Sequence, residues 1–484
     1  MDWKQQHRLR LPLCQLESEL INACLEDPDA LPGIHYQQLR YIISFARLTV
    51  VQALNGTDVV VAEWLSPHRW WVLHQLKPFF VKGTLIRKSI DWNAVILKIP
   101  ELIEETIRVR DALLGQFPLD RYSLEAEICQ RQLGIAMGGG GGSGYGYVGA
   151  LRLLDRYDLQ PSMMAGTSIG ALIGMFRART GPFDMLSMIE IGKKLSWNSI
   201  FRVLDVRSRY GVPATLRLYL RSALGPMMSN QDGSMKTFRD LAVPLIIAVT
   251  GLTVDAFKHD MIYYEHLMDD AFQDGVRISR LRKIAAFART LQEFLFYPEA
   301  MKEVIFGADE VTMDADVIDA AGFSSAVPGL LHYDILREDP KMHAILGQLY
   351  AEHNITRLGE GGLINNLPAR PLYAQMMSGR IKRRNPVILA IDCFAPQRNS
   401  FAWLPVQQLI QLNVRSNMVY ADVVYRLKKR LSPINVIPSI EQQNIASDWT
   451  ILELQEHVPR IRALLEEHPV LNRNDMRPLK DYID

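Results

Sequence analysis

The chain has 484 residues, of which 48% are hydrophobic and 22% charged, with a formal net charge of +1. That mix supplies a sizeable core and excludes global disorder, and the near-neutral balance carries no global signal for nucleic acid. Four cysteines without CxxC spacing exclude a zinc ribbon or a disulfide scaffold and suit a reduced, cytoplasmic setting.

Residues 1 to about 130 read mostly as helix. Leu102, Ile103, Thr106, Ile107, Val109, Leu113 and Leu114 recur near a 3.6-residue period. The first twenty residues hold no apolar run of signal-peptide length. No stretch of about 18 apolar residues follows anywhere, so no spanning helix is expected and any membrane contact is peripheral. An aromatic stretch, Trp70 to Phe80, suits either an interfacial membrane contact or, preferably, a buried patch docking this region onto the next domain.

The pattern changes near Gln132. Leu133 to Met137, Ser162 to Ala165, Pro244 to Val249 and Pro386 to Ile391 are short apolar runs that read as buried strands. Helices are expected at Tyr147 to Tyr157 and Ile169 to Thr180. This alternation predicts an α/β layered core with a mostly parallel sheet. Between about 255 and 310 the strand signal vanishes; Arg280 to Phe296 reads as an amphipathic helix in a helical insertion. Leu404 to Leu431 and Ile451 to His468 read as helical again. The expected division is a mostly helical region 1–130, a core domain 131–396 with the insertion near 255–310, and a helical extension 397–484. Basic clusters at 280–283, 380–384 and 426–430 read as solvated faces, the last also suiting an anionic membrane surface.

Five glycines, Gly138 to Gly142, follow the first strand and precede a helix. Without a Cβ the backbone can turn sharply and aim its N–H groups at an anion, helped by the helix N-terminus. A phosphate, a dinucleotide or a reaction oxyanion would fit. No Gly-Lys-Ser/Thr follows, so this is not a Walker loop. Gly140, Gly142 and Gly146 approach dinucleotide spacing, but the acidic residue that motif needs is poorly served by Asp155 or Asp158.

Gly166-Thr167-Ser168-Ile169-Gly170 discriminates between these readings. A GxSxG between strand and helix lifts the serine onto a strained apex, with Gly166 and Gly170 clearing space around it. A serine hydroxyl then needs a base. The downstream histidines, His259, His266, His332, His343, His353, His457 and His468, lie in no glycine-flanked loop after a strand. Gly359-Glu360-Gly361-Gly362 offers a carboxylate on a loop that can approach closely, and a partly dry carboxylate can accept a proton near neutrality.

Four segments in order resemble the patatin-like phospholipases: Met137 to Gly144 running on to Leu151, Gly166 to Gly170, Gly322 to Gly329, and Glu360 to Pro368. The resemblance covers roughly Leu133 to Pro396. It implies a three-layer α/β/α core, flanked here by the N- and C-terminal helical regions. It implies a histidine-free Ser–carboxylate dyad that hydrolyses phospholipids, lysophospholipids or acylglycerols through an acyl-enzyme, with no metal and no cofactor. Carried over residue by residue, Ser168 is the nucleophile and Glu360 the proton acceptor. Gly139, Gly140, Gly141 and Gly142 form the oxyanion hole, and Gly166, Gly170, Gly361 and Gly362 support the elbow and base loop.

Two departures stand out. Ser143 sits where the family carries Arg or Lys, a position that tends to brace the loop. Glu360 sits where the family has Asp, and the extra methylene moves the carboxylate by more than about 1 Å on a fixed backbone. Three readings stay open: Glu360 is the base on a shifted loop, Asp392 at a strand end is the base, or the chain is a catalytically weakened binding or scaffold relative. A lipid ester is the expected substrate, a peripheral membrane contact is compatible, no nucleic acid is expected, and no protein partner is implied.

Overall fold

A computed structural model describes residues 1–80, 90–180, 200–203, 209–212, 214–254, 298–336, 338–397, 404–473 and 475–482. It divides into two units. One holds Met1–Leu133, Tyr373–Val387 and His457–Asp484; the other holds Gly134–Leu372 and Ile388–Glu456.

In the first unit, Leu13, Leu16 and Leu20 recur at helical spacing and bury one face of α1 (Trp3–Glu26). They join a core with Tyr41, Ile42 and Phe45 of α2 (Gly33–Ala46), Val72 and Leu76 of α3 (Ser66–Phe80), Leu102 and Leu113 of α4 (Trp92–Gln116), and Leu124 of α5 (Arg121–Cys129). The aromatic stretch is thus helix α3. Val72, Leu76 and Phe80 turn into this core, while Trp70 stays 69% exposed and stacks on His74 with centroids 5.4 Å apart.

Glu17 lies on the buried face of α1. Its carboxylate meets Arg40 at 2.9 Å and Arg131 at 2.9 Å, and it also pairs with Arg47. Burial by itself raises this carboxyl, but the guanidinium groups of Arg131, Arg47 and Arg40 outweigh burial and hold it well below its ordinary 4.5. A depressed folded-state pKa contributes stability that is present above the ordinary value and lost as pH falls toward the folded one. Glu17→Ala removes a buried carboxylate that pairs with three guanidinium groups. We expect a loss of about 3–5 kcal/mol, read as an earlier denaturant midpoint; an unchanged midpoint would refute this account of the cluster.

The second unit is built on a sheet. Its strands are β1 (Gln132–Met137), β2 (Met163–Gly166), β3 (Leu245–Leu252), β4 (Met301–Phe306), β5 (Arg357–Gly359), β6 (Pro386–Asp392) and β7 (Val423–Arg426). The order is β5-β3-β2-β1-β6-β7, with β4 also paired to β3. The pairs β1/β2, β2/β3 and β6/β7 are parallel, whereas β4 and β5 run antiparallel to β3. Every residue of β3 and β6 is buried, as strands covered on both faces must be. The flanking helices used below are α6 (Gly146–Arg156), α7 (Ile169–Arg179), α8 (Val317–Ser324), the short α9 (Gly362–Asn365), α10 (Leu404–Met418) and α11 (Ile440–Leu454). The expected α/β/α class with a mostly parallel sheet is therefore the one present.

Two expectations are corrected. The strand signal does not vanish as far as 310: β4 is a strand in which Met301, Val304 and Phe306 are buried while Lys302 is exposed. Its mixed, charge-bearing pattern belongs to a half-solvated strand rather than a doubly covered one, so it lacks a continuous apolar run. Helix also does not run from Leu404 to Leu431, because α10 stops at Met418 and the chain re-enters the sheet as β7. Asp422 secures that entry by accepting the Ile388 N–H at 2.8 Å. The helix expected at Arg280 to Phe296, and the insertion over 255–297, lie outside the described residues. No described helix is long and apolar enough to cross a membrane.

Candidate active site

β1 and β2 are parallel neighbours with Met137 opposite Gly166. The chain therefore leaves both carboxyl ends side by side, into the glycine loop from β1 and into Thr167-Ser168 from β2. Open α/β sheets offer their ligand crevice at that edge.

The turn after β2 holds Ser168 at φ 53°, ψ −122°. A non-glycine residue in such a conformation costs on the order of 1–3 kcal/mol and persists only where its surroundings impose it. They do so here. A Cβ at Gly170 would stand 2.3 Å from the Met137 carbonyl, and one at Gly166 2.6 Å from the Ala171 nitrogen. The Ser168 N–H donates to Ser324 Oγ at 2.9 Å, and that hydroxyl donates to the Ala248 carbonyl at 2.7 Å. Thr167 Oγ1 donates to the Asn365 carbonyl at 2.9 Å.

Glu360 follows β5. Its N–H donates to the Ala326 carbonyl at 2.7 Å and its carbonyl accepts from Thr250 Oγ1 at 2.7 Å. Behind it the loop presses against β3, since a Cβ at Gly361 would lie 2.1 Å from the Ala248 carbonyl. This seat directs the carboxylate at the elbow: Ser168 Oγ donates to Glu360 Oε2 at 3.1 Å, and the Gly362 N–H donates to Oε1 at 3.3 Å. Burial pushes the Glu360 carboxyl up from 4.5 to about 8, against the opposing pull of the Gly362 N–H and the Ser168 hydroxyl. Ser168 and Glu360 both keep partial exposure.

The other candidate bases are elsewhere. Asp392 accepts from the Phe394 N–H at 2.9 Å and from Gln411 Nε2 at 3.2 Å, which commits it to the end of β6. No histidine meets Ser168 among the described residues: His332 faces the Val212 carbonyl at 2.8 Å and His343 the Tyr210 hydroxyl at 2.9 Å. His259 and His266 lie outside the described residues.

The glycine loop passes directly over the pair. A Cβ at Gly139 would stand 3.1 Å from Ser168 Cβ and 3.3 Å from Glu360 Oε1. The four glycines expected to act alike divide two and two. The Gly139 N–H is spent on the Asn366 carbonyl at 3.1 Å and the Gly142 N–H on the Pro433 carbonyl at 2.9 Å. The N–H groups of Gly140 and Gly141 make no hydrogen bond among the described residues, and these two are partly exposed while Gly139 and Gly142 are buried. Gly141 sits at φ 54°, where a Cβ would also strike the Pro433 carbonyl at 2.3 Å. Asp155, weighed for the dinucleotide alternative, accepts from Gln160 at 2.9 Å.

Ser143, in place of a basic brace, donates through Oγ to the Leu431 carbonyl at 3.0 Å, and Tyr145 donates to the Val436 carbonyl at 2.9 Å. The segment after β7 thus ties down the loop by hydrogen bonds instead of a charge. A separate carboxylate trio, Asp316, Asp319 and Asp339, could geometrically hold a cation. The Arg221 guanidinium already lies among them, 2.7 Å from Asp316 and 2.9 Å from Asp339 and also bonded to Asp319.

Ser324, Thr167 and Asn366 lie inside the motif segments, but the sequence carries no sign of what they touch. Their roles arise from hydrogen bonds across segments far apart in sequence, for which a linear pattern has no signal.

Lysophospholipase nte1 of Aspergillus fumigatus and of Neosartorya fischeri are each 28% identical over 116 residues, and that of Emericella nidulans 29%. The match takes in 24% of this chain but only 7% of each of those proteins. The family model "Patatin-like phospholipase" matches residues 135–373, a span that contains the glycine loop, the serine elbow and the carboxylate loop. Over those residues this chain is a member of the patatin-like phospholipase family.

Proposed function

We propose that this chain is a serine acyl hydrolase that cleaves carboxylic esters of lipids through a Ser168–Glu360 dyad and an acyl-enzyme. The observation that carries the reading is the 3.1 Å hydrogen bond from Ser168 Oγ to Glu360 Oε2, made from a strained strand-to-helix apex. Ser168 Oγ attacks the ester carbonyl carbon while Glu360 takes its proton. The carbonyl oxygen becomes an oxyanion, which accepts from the N–H groups of Gly140 and Gly141, the two in the loop that bond nothing among the described residues. Collapse breaks the bond to the alcohol, which leaves with the proton from Glu360, and Ser168 is acylated. Glu360 then takes a proton from water as that water attacks the acyl carbon. Collapse releases the fatty acid and returns the proton to Ser168 Oγ.

Lipid esters are favoured as substrates by the family and by the relatives' name. Phospholipid, lysophospholipid and acylglycerol remain candidate classes, each presented to the protein at a lipid surface. The test is labelling with a fluorophosphonate serine probe, mapped by mass spectrometry, together with fatty-acid release from lysophosphatidylcholine, phosphatidylcholine and triacylglycerol. We expect phosphonylation at Ser168 and release from at least one lipid class at pH 8. No adduct at Ser168 and no release from any class would leave a non-catalytic binding protein as the better reading.

A further inference from the structure

We infer that Asn413 of α10, beyond the family-matched segment, is a positioning residue that holds the carboxylate loop and the glycine loop in register with Ser168. The inference rests on the dyad reading above and adds a residue to it.

The Asn413 side chain uses both ends. Oδ1 accepts the Asn366 N–H at 3.1 Å, and Nδ2 donates to the carbonyls of Gly362 at 3.1 Å and Leu363 at 3.3 Å. It therefore grips the short helix α9, which begins two residues after Glu360. One turn along α10, Asn417 accepts the Arg370 N–H at 3.1 Å and donates to the Asn413 carbonyl at 2.9 Å. Asn413 and Asn417 are four residues apart and so share one helical face.

From α9 the hold passes to the reacting groups. Asn366 forms a two-bond clamp on Gly139: its carbonyl accepts the Gly139 N–H at 3.1 Å and its Nδ2 donates to the Gly139 carbonyl at 3.3 Å. Asn365 receives the Thr167 hydroxyl through its carbonyl at 2.9 Å. The Gly362 N–H reaches Glu360 Oε1 at 3.3 Å. One turn of chain, Glu360 to Asn366, is thus bonded to the elbow, the glycine loop and the carboxylate. Asn413 is a polar hold on that turn from outside the three motifs. An amide suits the task because it must accept one N–H and donate to two carbonyls in the same place.

With the hold removed, α9 gains freedom and the carboxylate drifts from Ser168. A displacement approaching 1 Å can cost about a hundredfold in rate; for partial loosening we expect about tenfold. Loss of the Gly362 N–H from Oε1 also removes a bond that favours the ionised carboxylate, so the pH at which kcat/KM reaches half its plateau moves up.

The experiment measures kcat, KM, the pH profile and fluorophosphonate labelling rate for wild type, Asn413→Ala, Asn413→Asp and the exposed neighbour Leu412→Ala. The expected result is a lower kcat with little change in KM and a midpoint moved upward in Asn413→Ala, while Leu412→Ala matches wild type. Asn413→Asp keeps shape and one acceptor but cannot donate to the two carbonyls, so it is also slowed, and it serves as the test if the alanine variant does not fold. Wild-type kcat, labelling rate and pH midpoint in a folded Asn413 variant overturn the inference, as does a change confined to KM. Absence of Ser168 labelling in the wild type is a different outcome, which overturns the dyad reading itself.

Discussion

Ser168→Ala is expected to reduce fatty-acid release by about 10⁴-fold or more, because removing a nucleophile leaves only binding and oxyanion stabilisation. Probe labelling should disappear with it. The substitution keeps the fold: Ser168 Oγ contributes one hydrogen bond, to Glu360, while the elbow is held through the Ser168 backbone and Ser324. Alanine retains the unfavourable φ of 53°, which glycine tolerates. Ser168→Gly should therefore be more stable than Ser168→Ala by about 1 kcal/mol, offset in part by the greater entropy of the unfolded glycine chain. Retained hydrolysis in Ser168→Ala would remove Ser168 from the chemistry. Equal stability of the two variants would mean that the apex stores no strain.

Glu360→Gln should cost about 10³-fold or more, since an amide keeps the shape of the side chain but cannot take the serine proton. Glu360→Asp tests fit. In this chain the longer side chain reaches Ser168 Oγ at 3.1 Å from a loop seated on Thr250 and Ala326. Shortening it by one methylene opens that contact, so the aspartate variant is expected to be slower by about a hundredfold. A faster aspartate variant would mean that the natural base is poorly placed.

The pH dependence follows from the sign of the Glu360 shift. Burial raises its carboxyl from 4.5 to about 8, so the base form grows as pH rises, and kcat/KM should climb and level off above about 8. A plateau reached below pH 6 would contradict this. A raised folded-state pKa also means that stability is greatest with the carboxyl protonated and falls as pH rises from about 4.5 to about 8. Glu360→Gln does not titrate. Wild type should therefore lose stability relative to this variant across that window and run parallel to it above, which paired denaturation curves would read.

The parts of the site that were legible in sequence are those where backbone geometry demands a residue type. Gly166 and Gly170 are forced by carbonyl and amide atoms within 2.6 Å of any Cβ, and Gly361 by the Ala248 carbonyl. Such demands leave glycines at fixed spacing around Ser168 and beside Glu360. The doubly covered strands β3 and β6 were legible for a similar reason, because burial on both faces leaves a nearly continuous apolar run, with Thr250 and Asp392 as its polar exceptions. Strands β4 and β7 were missed because partial exposure admits Lys302 and Arg426, and a short mixed segment beside helices carries no distinctive period.

By itself, then, the sequence determined the sheet class and the serine apex. Both rest on local constraints, on which residue can occupy a given φ or a given depth. Only the tertiary structure decided that Glu360 rather than Asp392 reaches Ser168, and that Gly139 and Gly142, of the four glycines, spend their N–H groups on the Asn366 and Pro433 carbonyls. It also decided that Leu431, Pro433 and Asn413 hold the loops. The physical reason is that hydrogen bonds join Ser168 to Glu360 across 192 positions and Ser143 to Leu431 across 288. A donor's partner at that separation is chosen by how the chain packs, and neither residue type nor spacing encodes it.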